Sequence, residues 1–172
     1  MKELIRKKYL KIRKNIQNKE EKEQIIFNKV INNEKAINSS LILIYVSTKE
    51  EVDTIKIIKY FLKTKQVAVP KVEGNNINFY YIKSLRELKK GNYNILEPIT
   101  TNKVNNIDNA ISITPGICYS KELYRIGYGK GYYDRFYQNN NIYKIGLCFK
   151  SCLLDKLPHD KHDIKVDEII TE

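Results

Sequence analysis

Residues 41–65 read LILIYVSTKEEVDTIKIIKYFLKTK and contain, in order, an apolar run, a polar loop and an amphipathic segment. The opening run LILIYV is nearly continuous and rich in β-formers, which is typical of a strand covered on both faces. Asp53 is placed to accept from the N–H groups of the following turn, and Ile55, Ile58 and Leu62 recur at helical spacing. This stretch predicts a buried strand, a polar loop and a helix.

The alternation of strand and helix continues on both sides of this stretch. Ile5, Tyr9, Ile12 and Ile16 fall on one side of a helix whose other side carries Lys and Arg. A second helix is predicted at residues 20–36 and a short one after the glycine-rich loop described below. Further strands are predicted at residues 66–70, 77–82, 110–115, 144–149 and 167–171. We therefore expect an α/β fold: a three-layer, largely parallel open sheet with helices on both faces.

Length and composition favour one soluble domain that spans residues 1–172. The apolar residues occur in short runs, and the start MKELIRKKYLKIRK has no apolar signal region. We expect a cytoplasmic protein with no membrane partner. Cys118, Cys148 and Cys152 lack the paired spacing of a zinc site or a disulfide framework, which favours buried, reduced thiols.

The formal net charge of +11 favours an anionic partner, such as nucleic acid, an acidic membrane or a small phosphorylated or polycarboxylate molecule. Part of this excess follows a general bias toward Lys, Asn and Ile. Thirteen tyrosines beside the basic residues leave an RNA-binding module as an alternative, although no recognised RNA-binding signature is present.

The strongest functional signal is YRIGYGKGYYDRF at residues 124–136, where Gly127, Gly129 and Gly131 alternate with other residues. Such a loop can turn its backbone amides toward phosphate oxygens, and Arg125 and Lys130 add positive charge. The spacing matches neither a P-loop nor a Rossmann fingerprint. A glycine-rich surface turn is the alternative interpretation.

The residues after the last glycine favour the phosphate-binding interpretation. A helix that starts at Tyr132 and Tyr133 would direct its N-terminal amides at the loop. Asp134 would lie in its first turn, where it is suited either to hold magnesium or to cap the helix.

The motif RIGYGKGYYDRF resembles the signature of the 5-formyltetrahydrofolate cyclo-ligase family, also called 5,10-methenyltetrahydrofolate synthetases. The resemblance extends along the chain through KELIR, YVSTKEEVDT, VAVPKV, GNYNILEP, ITPGICYS and the ending IGLCFKSCLLDKLPHDKHDIKVDEIITE. It implies an ATP- and magnesium-dependent ligase that closes 5-formyltetrahydrofolate to 5,10-methenyltetrahydrofolate, with release of ADP and phosphate. A polyglutamylated form of this folate is included among the expected substrates.

The resemblance also implies roles for individual residues. Arg125, Lys130 and Tyr132 would be catalytic. The ATP contacts would be Lys2, Arg6, Arg125, Ile126, Gly127, Tyr128, Gly129, Lys130, Gly131, Tyr132 and Tyr133. The folate contacts would be Val46, Glu51, Tyr128, Gly129, Lys130, Gly131 and Tyr132. The magnesium ligands would be Asp134 and Asp167.

Several positions have other interpretations from the residues alone. Lys2 and Arg6 also suit a solvated helix face, and Asp167 also suits an exposed strand edge. Phe79 or Tyr80 is expected either to wall the flat folate ring or to pack in the core. Tyr128 departs from the family pattern, which often has arginine there. We expect a monomer without a nucleic-acid partner; a relative that binds folate or ATP without turnover is a further alternative.

Overall fold

The computed structural model describes the backbone of all 172 residues and every side chain except that of Asn92. The helices are α1 (Lys2–Lys14), α2 (Lys19–Ile31), α3 (Glu34–Asn38), α4 (Ile55–Phe61) and α5 (Tyr132–Asn139). The strands are β1 (Leu41–Ile44), β2 (Gln66–Glu73), β3 (Asn76–Ile82), β4 (Leu88–Lys90), β5 (Leu96–Pro98), β6 (Ala110–Thr114), β7 (Cys118–Ser120), β8 (Arg125–Ile126), β9 (Tyr143–Leu147), β10 (Leu153–Leu154) and β11 (Glu168–Ile170).

A six-stranded sheet with the order β11-β9-β6-β1-β2-β3 forms the centre of the fold. Its neighbouring strands pair in parallel, except that β3 runs antiparallel to β2. Two small sheets, β10-β7-β8 and β4-β5, flank it. The prediction of a largely parallel sheet is confirmed.

The two faces of the central sheet pack against different helices, because successive side chains of a strand point to opposite faces. Ile42 and Ile44 of β1 join the cluster that α2 and α4 cover. Leu41 and Leu43 join the opposite cluster, which α5 covers through Tyr137 and its neighbours. All four residues of β1 are at most 2% exposed, and each contributes about 1.5–3 kcal/mol by burial. The three-layer α/β arrangement is therefore confirmed.

Helix α1 packs at one end of this structure rather than on the central sheet. Ile5, Tyr9 and Ile12 lie against a buried cluster that includes Tyr119 and Ile126. This contact confirms the predicted apolar stripe for Ile5, Tyr9 and Ile12. Ile16 lies beyond the end of α1 and packs against the cluster that contains Ile42 and Ile44. The packing of α1 places its Lys and Arg side beside the strands that lead into the glycine-rich loop.

Two predicted elements differ in the structure. The single helix expected at residues 20–36 is wrong, because the chain leaves α2 at Asn32 and starts α3 with Asn33, whose side-chain oxygen accepts from the Ala36 amide at 3.1 Å. The strand expected to end at Pro70 continues to Glu73. β1 pairs with β2 only as far as Ala68, so Pro70 lies where one side of β2 is an edge and a missing N–H is tolerated.

Helix α5 is fixed to the sheet by a buried hydroxyl cluster. The Tyr137 hydroxyl lies 2.7 Å from the Ser112 hydroxyl and 2.6 Å from the Thr114 hydroxyl, both on β6. This cluster holds the first turn of α5 at a fixed position above the sheet.

Replacing Tyr137 with Phe removes that cluster while keeping the ring. The buried hydroxyls of Ser112 and Thr114 lose their shared partner, so we expect the free energy of unfolding to fall by about 1–3 kcal/mol. Urea unfolding measures the change. The control is Tyr60→Phe on the half-exposed side of α4, where a change within about 0.5 kcal/mol is expected. Equal stability of both variants would show that the cluster does not anchor α5.

The three cysteines are free and buried, as predicted. Burial raises the pKa of Cys118 to about 12 and also raises the pKa values of Cys148 and Cys152. Because the folded-state pKa values exceed the unfolded ones, this contribution to stability is present below the unfolded pKa, about 8.5, and is lost as the pH rises toward the folded values.

The native protein is accordingly expected to react very slowly with a chromogenic disulfide reagent near pH 8, where each buried thiol is protonated. In denaturant all three thiols should react within the mixing time. Absorbance of the released chromophore measures both rates. Rapid modification of a thiol in the native protein would contradict the burial of the three cysteines.

Candidate functional site

The polar loops of the site lie at the carboxyl ends of the parallel strands, where ligands bind in sheets of this kind. β1 leads into residues 45–54, β6 into Pro115 and Gly116, and β9 into residues 148–149. A small cavity at this edge is lined by residues from all three strand ends: Arg13, Tyr45, Glu51, Val52, Gly116, Ile117, Leu147, Cys148, Phe149 and Cys152.

Glu51 lies in this cavity wall and is only 6% exposed. Its Oε1 accepts from the Thr48 amide at 2.8 Å. The loop is tied to β1 because the Thr54 hydroxyl donates to the Tyr45 carbonyl at 2.7 Å. Val46, the other predicted folate contact in this segment, is buried in the core beneath the loop. The structure therefore presents Glu51, rather than Val46, to the cavity.

The glycine-rich loop reaches α5 through two residues with left-handed backbones. Gly129 has φ 96° and Gly131 has φ 71°, a conformation that residues with a Cβ rarely adopt. Gly131 immediately precedes the first residue of α5, so the N-terminal amides of this helix face the loop. Ile126 differs from the other predicted loop contacts, since its side chain is buried and its carbonyl accepts from Ile117 at 2.8 Å.

Helix α1 brings two predicted cations to this loop. Arg6 Nε donates to the Gly127 carbonyl at 2.9 Å, and Lys2 Nζ lies 2.5 Å from Asp163 Oδ2. Desolvation lowers the pKa of Lys2, but the hydrogen bond to Asp163 and the charges of Asp163 and Asp160 outweigh it, so the pKa is raised. Lys2 and Arg6 thus bind protein acceptors across the entrance to the loop rather than projecting freely into solvent.

Arg125 and Asp134 are partners in the structure. Arg125 Nη2 lies 3.2 Å from Asp134 Oδ1, and the Arg125 side chain is only 6% exposed. Arg125 Nη1 also donates to the Ile164 carbonyl at 3.0 Å, and the Ile164 amide donates to Asp134 Oδ1 at 3.0 Å. This three-way contact joins β8, the first turn of α5 and the segment that contains Asp163.

The two predicted magnesium ligands have different partners in the structure. Asp167 Oδ2 accepts from the Lys144 amide at 2.7 Å, at the amino end of β9, whereas Asp134 contacts Arg125 and the Ile164 amide. A further carboxylate, that of Asp163, directly precedes Ile164 in the chain. Among the described side chains, no group of three or more His, Cys, Asp or Glu is arranged to hold a metal.

The tyrosines of the motif have three different environments. Tyr128 is 52% exposed, and its hydroxyl accepts from Arg13 Nη2 at 2.7 Å. A hydrogen bond with Tyr93 raises the pKa of Tyr132. The Tyr133 ring packs near Phe79, with ring centroids 6.3 Å apart. Tyr128 is therefore exposed at the loop and Tyr132 is half-buried, whereas Tyr133 supports the loop from the core side.

The aromatic wall proposed at Phe79 or Tyr80 is not at the loop surface. Phe79 is 2% exposed in the core, and the Tyr80 hydroxyl donates to Glu73 at 2.5 Å in the β2–β3 hairpin. The aromatic side chain that faces the loop is Tyr93, because the exposed Lys130 ammonium lies 5.9 Å from its ring centroid.

Sequence reasoning missed Arg13, Tyr93 and Asp163. A signal for Arg13 existed, because positions 2, 6, 9 and 13 are spaced by four, three and four residues and share one helix stripe. No comparable signal marks Tyr93 or Asp163. Their proximity to the loop depends on how distant segments pack.

The comparisons with known proteins agree with this geometry. The model of the 5-formyltetrahydrofolate cyclo-ligase family matches residues 1–172. The 5-formyltetrahydrofolate cyclo-ligase of Mus musculus is 30% identical over 164 residues, which cover 86% of this chain and 81% of the mouse protein.

Two solved structures show the same fold. The 5,10-methenyltetrahydrofolate synthetase of Aquifex aeolicus is 33% identical with a TM-score of 0.87, and the match covers 98% of this chain and 88% of that one. The 5,10-methenyltetrahydrofolate synthetase of Mycoplasma pneumoniae is 26% identical with a TM-score of 0.79, covering 99% of this chain and 98% of that one. The chain belongs to the 5-formyltetrahydrofolate cyclo-ligase family.

Proposed function

We propose that the chain converts 5-formyltetrahydrofolate and ATP into 5,10-methenyltetrahydrofolate, ADP and phosphate. The observation that carries this proposal is the convergence of Arg6, the glycine-rich loop and the start of α5 beside a cavity that contains the buried Glu51. Arg6, the loop and the start of α5 suit a polyphosphate, and Glu51 suits the donor edge of a pterin ring. Family membership supports the same reaction.

ATP phosphates are proposed to bind at the glycine-rich loop and the N-terminus of α5, where backbone amides converge. Lys2, Arg6, Arg125 and Lys130 supply the cationic surroundings. Arg6 reaches the loop from α1 at Gly127, and Lys2 of the same helix contacts Asp163, so the phosphates would lie between this helix and the loop. Gly129 is required for its backbone rather than for space, because its φ of 96° disfavours a residue with a Cβ.

The folate ring is proposed to enter the cavity at Glu51. An ionised carboxylate only accepts hydrogen bonds, so Glu51 suits the amino group and ring N–H of a 2-amino-4-oxo pterin. Tyr128 and Tyr132 border the route between this cavity and the loop. The formyl group would therefore lie near the position of the γ-phosphate.

Magnesium is proposed to bind oxygen atoms of Asp134 together with ATP phosphates, since this ion keeps waters and needs few protein ligands. The structure favours Asp163 over Asp167 as a second carboxylate, because Asp163 adjoins the amide that Asp134 accepts from. Both carboxylates hold cationic partners, Arg125 and Lys2, so the ion would compete with these cations for carboxylate oxygens. When bound, the ion supplies charge neutralisation of the phosphates.

The chemistry needs no protein nucleophile. The formyl oxygen attacks the γ-phosphorus as the bond to the β-phosphate oxygen breaks and ADP leaves. The N10 lone pair then attacks the activated formyl carbon, N10 loses its proton, and the carbon–oxygen bond breaks to release phosphate. The role proposed for Arg125 and Lys130 is to stabilise charge on the transferred phosphoryl group, and that for Tyr132 is to orient the folate.

The remaining expectations belong to this proposal. We propose a monomer that acts in the cytoplasm without a nucleic-acid partner. No helix in the described chain combines the length and apolar character required to cross a bilayer.

The first test is turnover of the purified chain with ATP, magnesium and 5-formyltetrahydrofolate, followed by the near-ultraviolet absorbance of the methenyl product. Asp134→Asn should reduce kcat by roughly 10²–10³, in the range found when a group that stabilises transition-state charge is lost. Circular dichroism checks its fold. Binding of folate and ATP without product would instead identify a non-catalytic relative, and salt-resistant RNA binding would favour the nucleic-acid alternative.

The second test distinguishes Asp163 from Asp167 as the second magnesium ligand. Asp163→Asn should raise the magnesium concentration needed for half-maximal activity by about tenfold or more, equivalent to about 1.4 kcal/mol. Asp167→Asn is the matched variant at the amino end of β9 and should leave this concentration within twofold. The reverse pattern would return the metal role to Asp167.

A further inference from the structure

Arg13 is a buried cation with no role in the reaction proposed above. The residue is only 5% exposed. Its Nη1 donates to the Gly116 carbonyl at 3.3 Å and its Nη2 to the Tyr128 hydroxyl at 2.7 Å. Its Nε–H has no acceptor among the described protein atoms. A buried donor without a partner costs about 1–3 kcal/mol, so this group is expected to serve a ligand.

Arg13 and Glu51 line the same cavity, which has a volume of about 10 Å³. This volume holds about one water molecule, so a pterin ring enters only after neighbouring side chains move. Tyr128 is the candidate, because its hydroxyl is held by Arg13, which lines the cavity, and the residue is 52% exposed. Movement of Tyr128 would release Arg13 Nη2.

The released group has a defined hydrogen-bonding pattern. Nε–H and one Nη2–H of a guanidinium point in the same direction and form a two-donor fork. A fork beside the acceptor-only carboxylate of Glu51 presents donors and acceptors within one cavity. The edge of a 2-amino-4-oxo pterin is complementary, because its amino group and ring N–H donate and its 4-oxo oxygen accepts.

We propose that Arg13 is a further substrate-binding residue, whose Nε and Nη2 donate to the 4-oxo oxygen of the folate while Glu51 accepts from the adjoining N–H groups. Tyr128 occupies this fork before folate binds and is displaced by it. This assignment rests on the proposed function and adds the residue that distinguishes an oxo group from other substituents at this ring position.

The alternative role of Arg13 is to hold Tyr128 in place, with a water molecule as the acceptor for Nε. The two roles differ in the effect of Tyr128→Phe, which keeps the fork and removes its internal acceptor. If Arg13 binds folate, Arg13→Gln should weaken folate binding more than this variant does. If Arg13 only anchors Tyr128, Tyr128→Phe and Arg13→Gln should weaken folate binding equally.

The test measures 5-formyltetrahydrofolate binding by fluorescence titration without ATP and the KM values for folate and ATP during turnover. Arg13→Lys and Arg13→Gln are expected to raise the folate Kd and KM by roughly 10- to 100-fold, as expected for loss of hydrogen bonds to a charged group. The KM for ATP should stay within twofold. Lys14→Gln, on the exposed side of the same helix, is the matched control and should leave the folate Kd unchanged.

Unaltered folate affinity in folded Arg13 variants, or equal increases of both KM values, would overturn the assignment while leaving the ligase function intact. Absence of turnover by the unaltered protein would instead overturn the proposed function. If both variants fail to fold, a crystal structure of the unaltered protein with 5-formyltetrahydrofolate decides. Contact of the Arg13 fork with the 4-oxo oxygen supports the assignment, and an intact Arg13–Tyr128 hydrogen bond refutes it.

Discussion

The contact between Arg125, Asp134 and the backbone of Ile164 is the interaction on which the site depends. It joins three segments that are distant in the chain, with an Arg125 side chain that is only 6% exposed. A paired buried charge contributes little net stability, but removing one partner costs about 3–5 kcal/mol. Its main effect is therefore positional, because it fixes the glycine-rich loop, the start of α5 and Asp163 relative to one another.

The central fold could largely be predicted from sequence because its signals are local. The run LILI of β1 and the spacing of Ile55, Ile58 and Leu62 report burial directly. The break between α2 and α3 was missed because the apolar spacing continues across it. An asparagine that caps a new helix also occurs in ordinary helix interiors, so Asn33 alone did not mark the boundary.

The strand direction of β3 was missed, although a local signal for it exists. Its antiparallel pairing with β2 follows from a tight connection between Glu73 and Asn76, and a short hairpin requires that direction. Prediction of the strand itself needed only its apolar pattern. Prediction of its direction would have required recognition of the turn at Gly74, whose φ is 62°.

The site was predictable where its residues follow one another in the chain. The glycine-rich loop, Asp134 and the stripe of Lys2 and Arg6 are local patterns, and the structure brings them together. Asp163 and Asp167 are only four positions apart in sequence, yet they contact different segments: Asp163 pairs with Lys2 of α1, and Asp167 accepts from the Lys144 amide of β9. Spacing does not carry that information.

The net charge of +11 overstates the positive charge that the site offers to an anion. Its principal cations already have protein acceptors, since Lys2 contacts Asp163, Arg6 contacts Gly127 and Arg125 contacts Asp134. These bonds hold the cations in position and neutralise part of their charge before a ligand arrives. An incoming phosphate must therefore compete with acceptors that the fold supplies, which favours ligands with several anionic oxygens over a single charge. In the proposed function, selectivity for a polyphosphate would therefore follow from the internal pairing of these cations rather than from the excess of lysine in the chain.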